Sequence, residues 1–216
     1  MSRRRESAVP EAATNRLSLI LRALRVLEGE GVVTVSSGQL AERFSFHSAQ
    51  IRKDLAQLGE FGVRGLGYRV SDLAENLRRR MGLTGVHPVV IAGAGHLGQA
   101  LADATGFNSN GFRVVALFDD DRRKIGGKTR SGVPILDAAR IEELLPALGA
   151  DIGVVAVPGA QAGSAATALV RGGLKGLLNF APTPVGPFPG VLVKNADLTL
   201  FLEGLAFQLH GTGAGS

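Results

Sequence analysis

The stretch "HPVVIAGAGHLGQALAD", residues 87–103, decides how the larger part of this chain folds. Four apolar residues, Val89–Ala92, run into a turn with glycines at 93, 95 and 98, and a helical pattern follows. Strand, Gly-x-Gly-x-x-Gly turn and helix form the opening unit of a dinucleotide-binding sheet. The first glycine permits the tight turn, the second lets a pyrophosphate approach the backbone, and the third lets the helix pack close to the strand. Unpaired N–H groups at the helix start face the phosphates, at the positive end of the helix dipole. Gly93, Ala94, Gly95, His96, Leu97 and Gly98 are therefore candidate cofactor-binding residues. Asp119 lies 21 residues beyond Gly98, at the end of the next apolar run, where an acid accepts hydrogen bonds from the adenosine ribose. Asp119 would repel a 2′-phosphate, whereas Arg122, Arg123 and Lys124 could attract one. The acid at the strand end favours NAD(H).

Downstream the same rhythm repeats. "FRVVALFDDD" reads as a strand, "DAARIEELLPAL" as a helix, "DIGVVAVP" as a strand, "AGSAATALVRGG" as a helix and "KGLLNFAP" as a fourth strand. Strands alternating with helices imply right-handed crossovers and a Rossmann-like doubly wound parallel sheet, an α/β fold. "ADLTLFLEGLAFQLH" is a last helix with Leu198, Leu202, Leu205 and Leu209 on one side, and "GTGAGS" is a frayed tail.

The reacting groups of an enzyme are hard to find. A dehydrogenase needs a side chain to move a proton as hydride moves. The chain has 216 residues, one tyrosine (Tyr68, outside the βα repeats), four histidines and no cysteine. His47 lies in the N-terminal part, His87 before the first strand, His96 inside the glycine turn and His210 near the end. The missing cysteines exclude disulfides, thiolate metal sites and Cys nucleophiles. No metal and no catalytic residue is expected. The start is polar and charged, and no apolar run approaches the roughly 20 residues of a membrane helix. These features lead to the expectation of a cytoplasmic protein without membrane contact.

Charge divides the chain. Residues 1–82 hold 14 Lys/Arg against 9 Asp/Glu, and residues 83–216 hold 10 of each, so the whole net charge of +5 lies in the first part. That asymmetry suggests a polyanionic partner. After an Arg-rich arm, "EAATNRLSLILRALRVLEGEG" has helical spacing, with Leu17, Leu21, Leu24 and Leu27 along one face and Gly29 and Gly31 as the stop. "VVTVS" is β-rich. "GQLAERF" is a helix capped by Ser36 or Ser37, and "SFHSAQIRKDLAQLGEFG" one capped by Ser45 or Ser48. "VRGLGYRV" is two short extended pieces around a turn, and "SDLAENLRRRMG" is a helix capped by Ser71. This order is the layout of a winged helix-turn-helix whose third helix reads DNA. Ser45, His47, Ser48, Gln50, Arg52 and Lys53, with Arg64 and Gly65 in the wing turn, are the candidate contacts to bases and phosphates. Ile51, Leu55 and Leu58 would face inward.

"IRKDL", "RGLGY" and "LNFAP" in this order, with "SSGQLAERF", "GAGHLG" and "ADLTLFLEGLAF" around them, resemble the Rex family of redox-sensing repressors over nearly the whole chain. The resemblance implies a homodimer that binds palindromic operator DNA when NADH is low and is released by NADH. It implies a winged-helix DNA-binding domain over residues 1–83, an NAD(H)-binding domain over 84–195, and a C-terminal domain-swapped helix over 196–210, with 211–216 a disordered tail. Nicotinamide-side contacts would fall at Val157 and Pro158 and at Asn179, Phe180, Ala181 and Pro182. A redox-dependent contact would join Arg22 of the first helix to Asp197. The family's aromatic beside the nicotinamide is replaced here by Ala104.

Nicotinamide is positively charged when oxidised and neutral when reduced. A closed apolar pocket would favour the reduced form, because burying an unpaired charge is costly. Binding that differs between two states shifts their equilibrium. Two other readings fit less of the chain: a small NAD-dependent oxidoreductase with an appended basic domain, and an oligomerisation protein whose cofactor is structural.

Overall fold

The computed structural model describes residues 10–44, 46–59, 67–106 and 111–211. The chain divides into two compact units, residues 1–84 and 85–216.

The first unit opens with α1 (Glu11–Gly29), whose residues Leu17, Ile20, Leu21, Leu24 and Leu27 are buried at the helical spacing the sequence predicts. After β1 (Thr34–Val35), α2 (Ser37–Phe44) starts in a capping box. Ser36 Oγ accepts from the Gln39 N–H at 3.1 Å, and Gln39 Oε1 accepts from the Ser36 N–H at 2.8 Å. α3 (Ser48–Leu58) buries Ile51 and Leu55; the Leu58 side chain lies outside the described residues. Then β2 (Tyr68–Arg69) pairs antiparallel with β1, so "VVTVS" is the partner of the wing strand. α4 (Val70–Arg80) closes the unit with Val70, Leu73, Ala74 and Leu77 buried against α1.

Two expected caps differ. His47, not a serine, holds the cap position of α3 and makes no side-chain cap bond, since the helix begins at Ser48 itself. Ser71 lies inside α4, which begins one residue earlier; its hydroxyl donates to Asp72 Oδ1 at 3.1 Å. Ser45, Arg64 and Gly65, the N-terminal arm and residues 212–216 of the tail lie outside the described residues.

The second unit runs β3 (His87–Ala92), α5 (His96–Asp103), β4 (Phe112–Asp119), β5 (Ile135–Asp137), α6 (Ile141–Leu148), β6 (Ile152–Val155), α7 (Gly159–Arg171), β7 (Gly176–Asn179), β8 (Leu192–Asn195) and α8 (Leu198–Gly211). Six strands form a parallel sheet in the order β5-β4-β3-β6-β7-β8. The direction of winding reverses between β3 and β6, and ligands of such sheets bind in the crevice beyond the strand ends at that point. Two of the six strands escape the sequence pattern. β5 has three residues, and β8 is an edge strand with only Val193 half-buried, so neither carries a run of apolar residues.

Both faces of the sheet are covered. Val89 and Ile91 of β3 join Val114 and Leu117 of β4 on the α5 side, while Val90, Ala92, Ala116 and Phe118 pack toward α6 and α7. On β4 the alternation slips once. Val89 pairs with Val114 but Val90 with Ala116, leaving Val115 as a bulge. Among the described residues no helix is long and apolar enough to cross a membrane. α8 is exposed along its described side chains, with Leu198, Leu200, Phe201, Leu202, Leu205, Phe207 and Leu209 each more than half accessible.

Candidate functional site

The three glycines of the 93–98 turn meet different surroundings. Gly93 has φ +105°, and a Cβ there would strike the Ala156 carbonyl of the neighbouring strand end. A Cβ on Gly98 would strike the Gly93 carbonyl, so the helix can sit this close only with glycine. Gly95 has nothing within 4 Å of where its Cβ would be. It leads into α5 with no side chain capping the helix. Backbone N–H groups of a first helical turn have no acceptor within the helix, and open space lies before these. The turn thus fits a phosphate-bearing ligand at Gly95–Gly98, with His96 and Leu97 exposed beside it.

Asp119 ends β4 and is 7% exposed. Its Oδ2 accepts from the Ala94 N–H at 2.7 Å and its Oδ1 from the Asp121 N–H at 2.9 Å. Lys124 Nζ lies 3.2 and 3.1 Å from the two oxygens. Burial alone would raise this carboxyl; the N–H donors of Asp121 and Ala94 and the Lys124 ammonium outweigh it and hold Asp119 ionised below the ordinary carboxylate value. These bonds make Asp119 a brace for the turn, and its carboxylate also lines the ligand space. The groups beside it, Asp120 and Lys124, present polar atoms to the ligand space.

That space is a cavity of about 560 Å³ at the ends of β3, β4 and β6. Of the residues singled out from the sequence, Gly93, Gly95, Asp119, Val157 and Pro158 line it. Sequence reading missed its far wall, where Ile141 opens α6 and Ala165 and Ala168 face in from α7; small residues at helical spacing carry no ligand signature. Gln161 Nε2 reaches Asp120 Oδ2 at 3.4 Å from α7.

Asn179, Phe180, Ala181 and Pro182 do not line this cavity. Asn179 is fully buried at the end of β7, beside Val155 of β6. Its amide donates to the Thr183 carbonyl at 2.9 Å and Asn195 Oδ1 at 2.8 Å, and its Oδ1 accepts from the Ala181 N–H at 3.0 Å. It is a brace for the 179–185 turn. Ala104 follows α5 half-buried. Among the described residues no group of three or more His, Cys, Asp or Glu could hold a metal ion.

In the first unit, α3 presents Ala49, Arg52, Lys53 and Ala56 to solvent at i, i+3, i+4 and i+7. Arg52 Nη1 donates to Ser37 Oγ at 3.1 Å, which steadies its guanidinium at the mouth of α2. His47 is exposed and Ser48 half-buried at the helix start. Gln50 turns away from this face, its Nε2 2.8 Å from Asp54 Oδ1. Two alanines of the stripe were passed over in the sequence, because an exposed alanine carries no chemistry of its own.

Arg22 is exposed on α1. Asp197 precedes α8 and caps it, its Oδ1 accepting from the Thr199 N–H at 2.8 Å.

Comparison with known proteins agrees with this division. A family model described as "Putative DNA-binding protein N-terminus" matches residues 8–56, and one described as "CoA binding domain" matches residues 85–183. The redox-sensing transcriptional repressor Rex of Carboxydothermus hydrogenoformans is 43% identical over 202 residues, covering 94% of this chain and 97% of its own. That of Streptomyces avermitilis is 44% identical over 204 residues, covering 94% and 81%. A crystal structure of RSP in complex with β-NAD+ and operator DNA superposes with a TM-score of 0.89 at 33% identity, covering 97% of this chain and 100% of that one. RSP in complex with β-NADH gives 0.85 at 32% identity, covering 96% and 97%. At this identity over almost its entire length, the chain belongs to the Rex family of redox-sensing transcriptional repressors.

Proposed function

We propose that this chain is an NADH-responsive transcriptional repressor. It binds NAD(H) in the second unit, binds operator DNA through the first, and catalyses no reaction. The observation that carries this reading is the near-complete match to RSP, seen both with β-NAD+ on operator DNA and with β-NADH. The glycine turn supports it, since Gly95 leaves room where a pyrophosphate would lie.

In this reading the first-turn amides of α5 and the open face of Gly95 hold the phosphates. Asp119 approaches the adenosine ribose with Asp120 and Lys124 beside it, and also fixes the turn. Val157 and Pro158 lead toward the nicotinamide, and the turn Asn179–Pro182 forms the adjoining rim. The nicotinamide supplies only the charge that distinguishes its two redox states. His47, Ser48, Arg52 and Lys53 meet DNA, joined by Ser45, Arg64 and Gly65. α8 is the dimerisation helix, because its seven large apolar side chains are too exposed for a lone chain in water. A homodimer places two reading helices on a palindromic site with half-sites roughly 34–36 Å apart. Arg22 and Asp197 form the redox-dependent contact between protomers. The protein works in the cytoplasm, where the DNA and the nucleotide pool meet.

The test is fluorescence anisotropy on a palindromic duplex titrated with NADH, NAD+ and, as a control, coenzyme A, which carries a related ADP portion. NADH should release the duplex and coenzyme A should not. Operator binding indifferent to NADH ends the sensor reading, and steady NADH turnover with an aldehyde or ketone panel would favour the oxidoreductase.

A further inference from the structure

Asp54 has no exposed surface, yet it belongs to the helix whose other side reads DNA. A buried carboxylate needs partners, and this one has three close ones. Arg16 Nε of α1 donates to Asp54 Oδ2 at 2.6 Å, Arg16 Nη2 donates to Oδ1 at 2.9 Å, and Gln50 Nε2 donates to Oδ1 at 2.8 Å. Two parallel N–H···O bonds from a planar guanidinium fix an angle as well as a distance, which a lysine ammonium cannot do. Ile51 and Leu55 bury one side of α3 by packing, which is non-directional. The Arg16 fork adds a directional constraint to it. With Asp54 pinned, residues 49, 52, 53 and 56 point outward.

We infer that Arg16 and Gln50 are positioning residues for sequence reading: Arg16 sets the roll of α3 through Asp54, and the Gln50 amide serves that lock instead of a base edge. The inference rests on the DNA-binding reading above. The base-facing set is then Ala49, Arg52 and Ala56, with Lys53 beside them toward a phosphate; the guanidinium suits a guanine edge and the alanine methyls suit thymine methyls. Phosphate contacts survive a small roll because charge acts over distance, whereas base contacts depend on geometry. Loosening the lock therefore lowers specificity and spares non-specific affinity.

The experiment uses the full-length chain, Arg16→Lys and Gln50→Ala. The probes are a duplex selected by the wild-type chain from a randomised pool, each single-base-pair variant of it, and a scrambled duplex, followed by anisotropy across a salt series. Circular dichroism and thermal melts check the fold. Both variants should lose tenfold or more in the ratio of selected to scrambled affinity. The loss should spread over the half-site, with scrambled affinity and salt slope unchanged. If Arg16→Lys melts early, Gln50→Ala, whose side chain is half-exposed, carries the test alone. Discrimination lost at a single base pair in Gln50→Ala would mean that the amide reads that base, and the inference falls. It falls equally if both duplexes weaken by one factor or if the ratio stays at the wild-type value. A wild-type chain that selects no duplex overturns the DNA-binding reading, and this inference with it.

Discussion

The Asp119 carboxylate reaches back 25 residues to accept the Ala94 N–H at 2.7 Å, tying the end of β4 to the glycine turn after β3. The acid expected to meet a ribose hydroxyl is thus first a brace for the phosphate cradle. Asp119→Ala leaves the Ala94 and Asp121 amides without their acceptor, at about 1–3 kcal/mol for a buried group. The second unit should melt earlier, and NADH affinity should fall tenfold or more by isothermal titration. Operator affinity without cofactor should stay unchanged.

The three glycines should separate folding from binding. Gly98→Ala drives a methyl into the Gly93 carbonyl and should destabilise by about 1–3 kcal/mol, the cost of an overpacked site. Gly95→Ala meets open space, so its melting temperature should match wild type while NADH affinity drops if, as proposed, the pyrophosphate takes that space. Equal melting temperatures for the two variants would contradict this assignment.

Phosphate contact by Lys53 should be legible in salt dependence. Lys53→Ala should reduce the slope of log affinity against log salt by about 0.9 per half-site and weaken all duplexes alike. Arg52→Ala should abolish preference for the selected duplex while NADH affinity, measured separately, is intact.

Acid should loosen the first unit early. Asp54 sits below the ordinary carboxylate value, first because the Arg16 hydrogen bonds favour its charged form and outweigh burial, and then because Gln50 adds another. A carboxyl depressed in the folded state contributes stability above its unfolded value of about 4 and loses it as pH falls through the folded value. Thermal melts from pH 6 downward should show the first unit losing stability below about pH 4. Asp54→Asn should flatten that slope while lowering stability at neutral pH.

The exposed face of α8 predicts an oligomer. Leu202→Glu combined with Leu209→Glu should convert a dimer to monomer in sedimentation, and operator affinity should fall with it. A double variant that remains dimeric would place the interface elsewhere.

Much of this was legible in the sequence, for physical reasons that can be named. Leu17, Leu21, Leu24 and Leu27 marked α1 because helical period is a strong signal over five turns. The three glycines of the turn were legible from their spacing between strand and helix; Gly93 and Gly98 answer steric demands within the fold, and Gly95 faces open space. β8 was not legible: an edge strand with one half-buried side chain has no alternation to read. Gln50 shows the limit of the sequence: its amide suits adenine and Asp54 alike, and the bond it makes to Asp54, which Arg16 forks from 38 residues away, leaves no trace in the local pattern. Asp119 was found by spacing, but its partners were not, since hydrogen bonds to Ala94 and Asp121 leave no trace in composition.

The extra residue at Val115 has a wider reach than its size suggests. Side chains alternate across a sheet, so a one-residue slip exchanges inside for outside in everything that follows. A bulge absorbs that slip: with Val115 deleted, Ala116, Leu117 and Phe118 would follow Val114 in regular alternation and keep Val90, Ile91 and Ala92 as partners. What the surplus valine supplies is bend and added twist four residues before Asp119, so its deletion should preserve the fold and register on cofactor affinity through the aim of the Asp119 carboxylate at the Ala94 N–H.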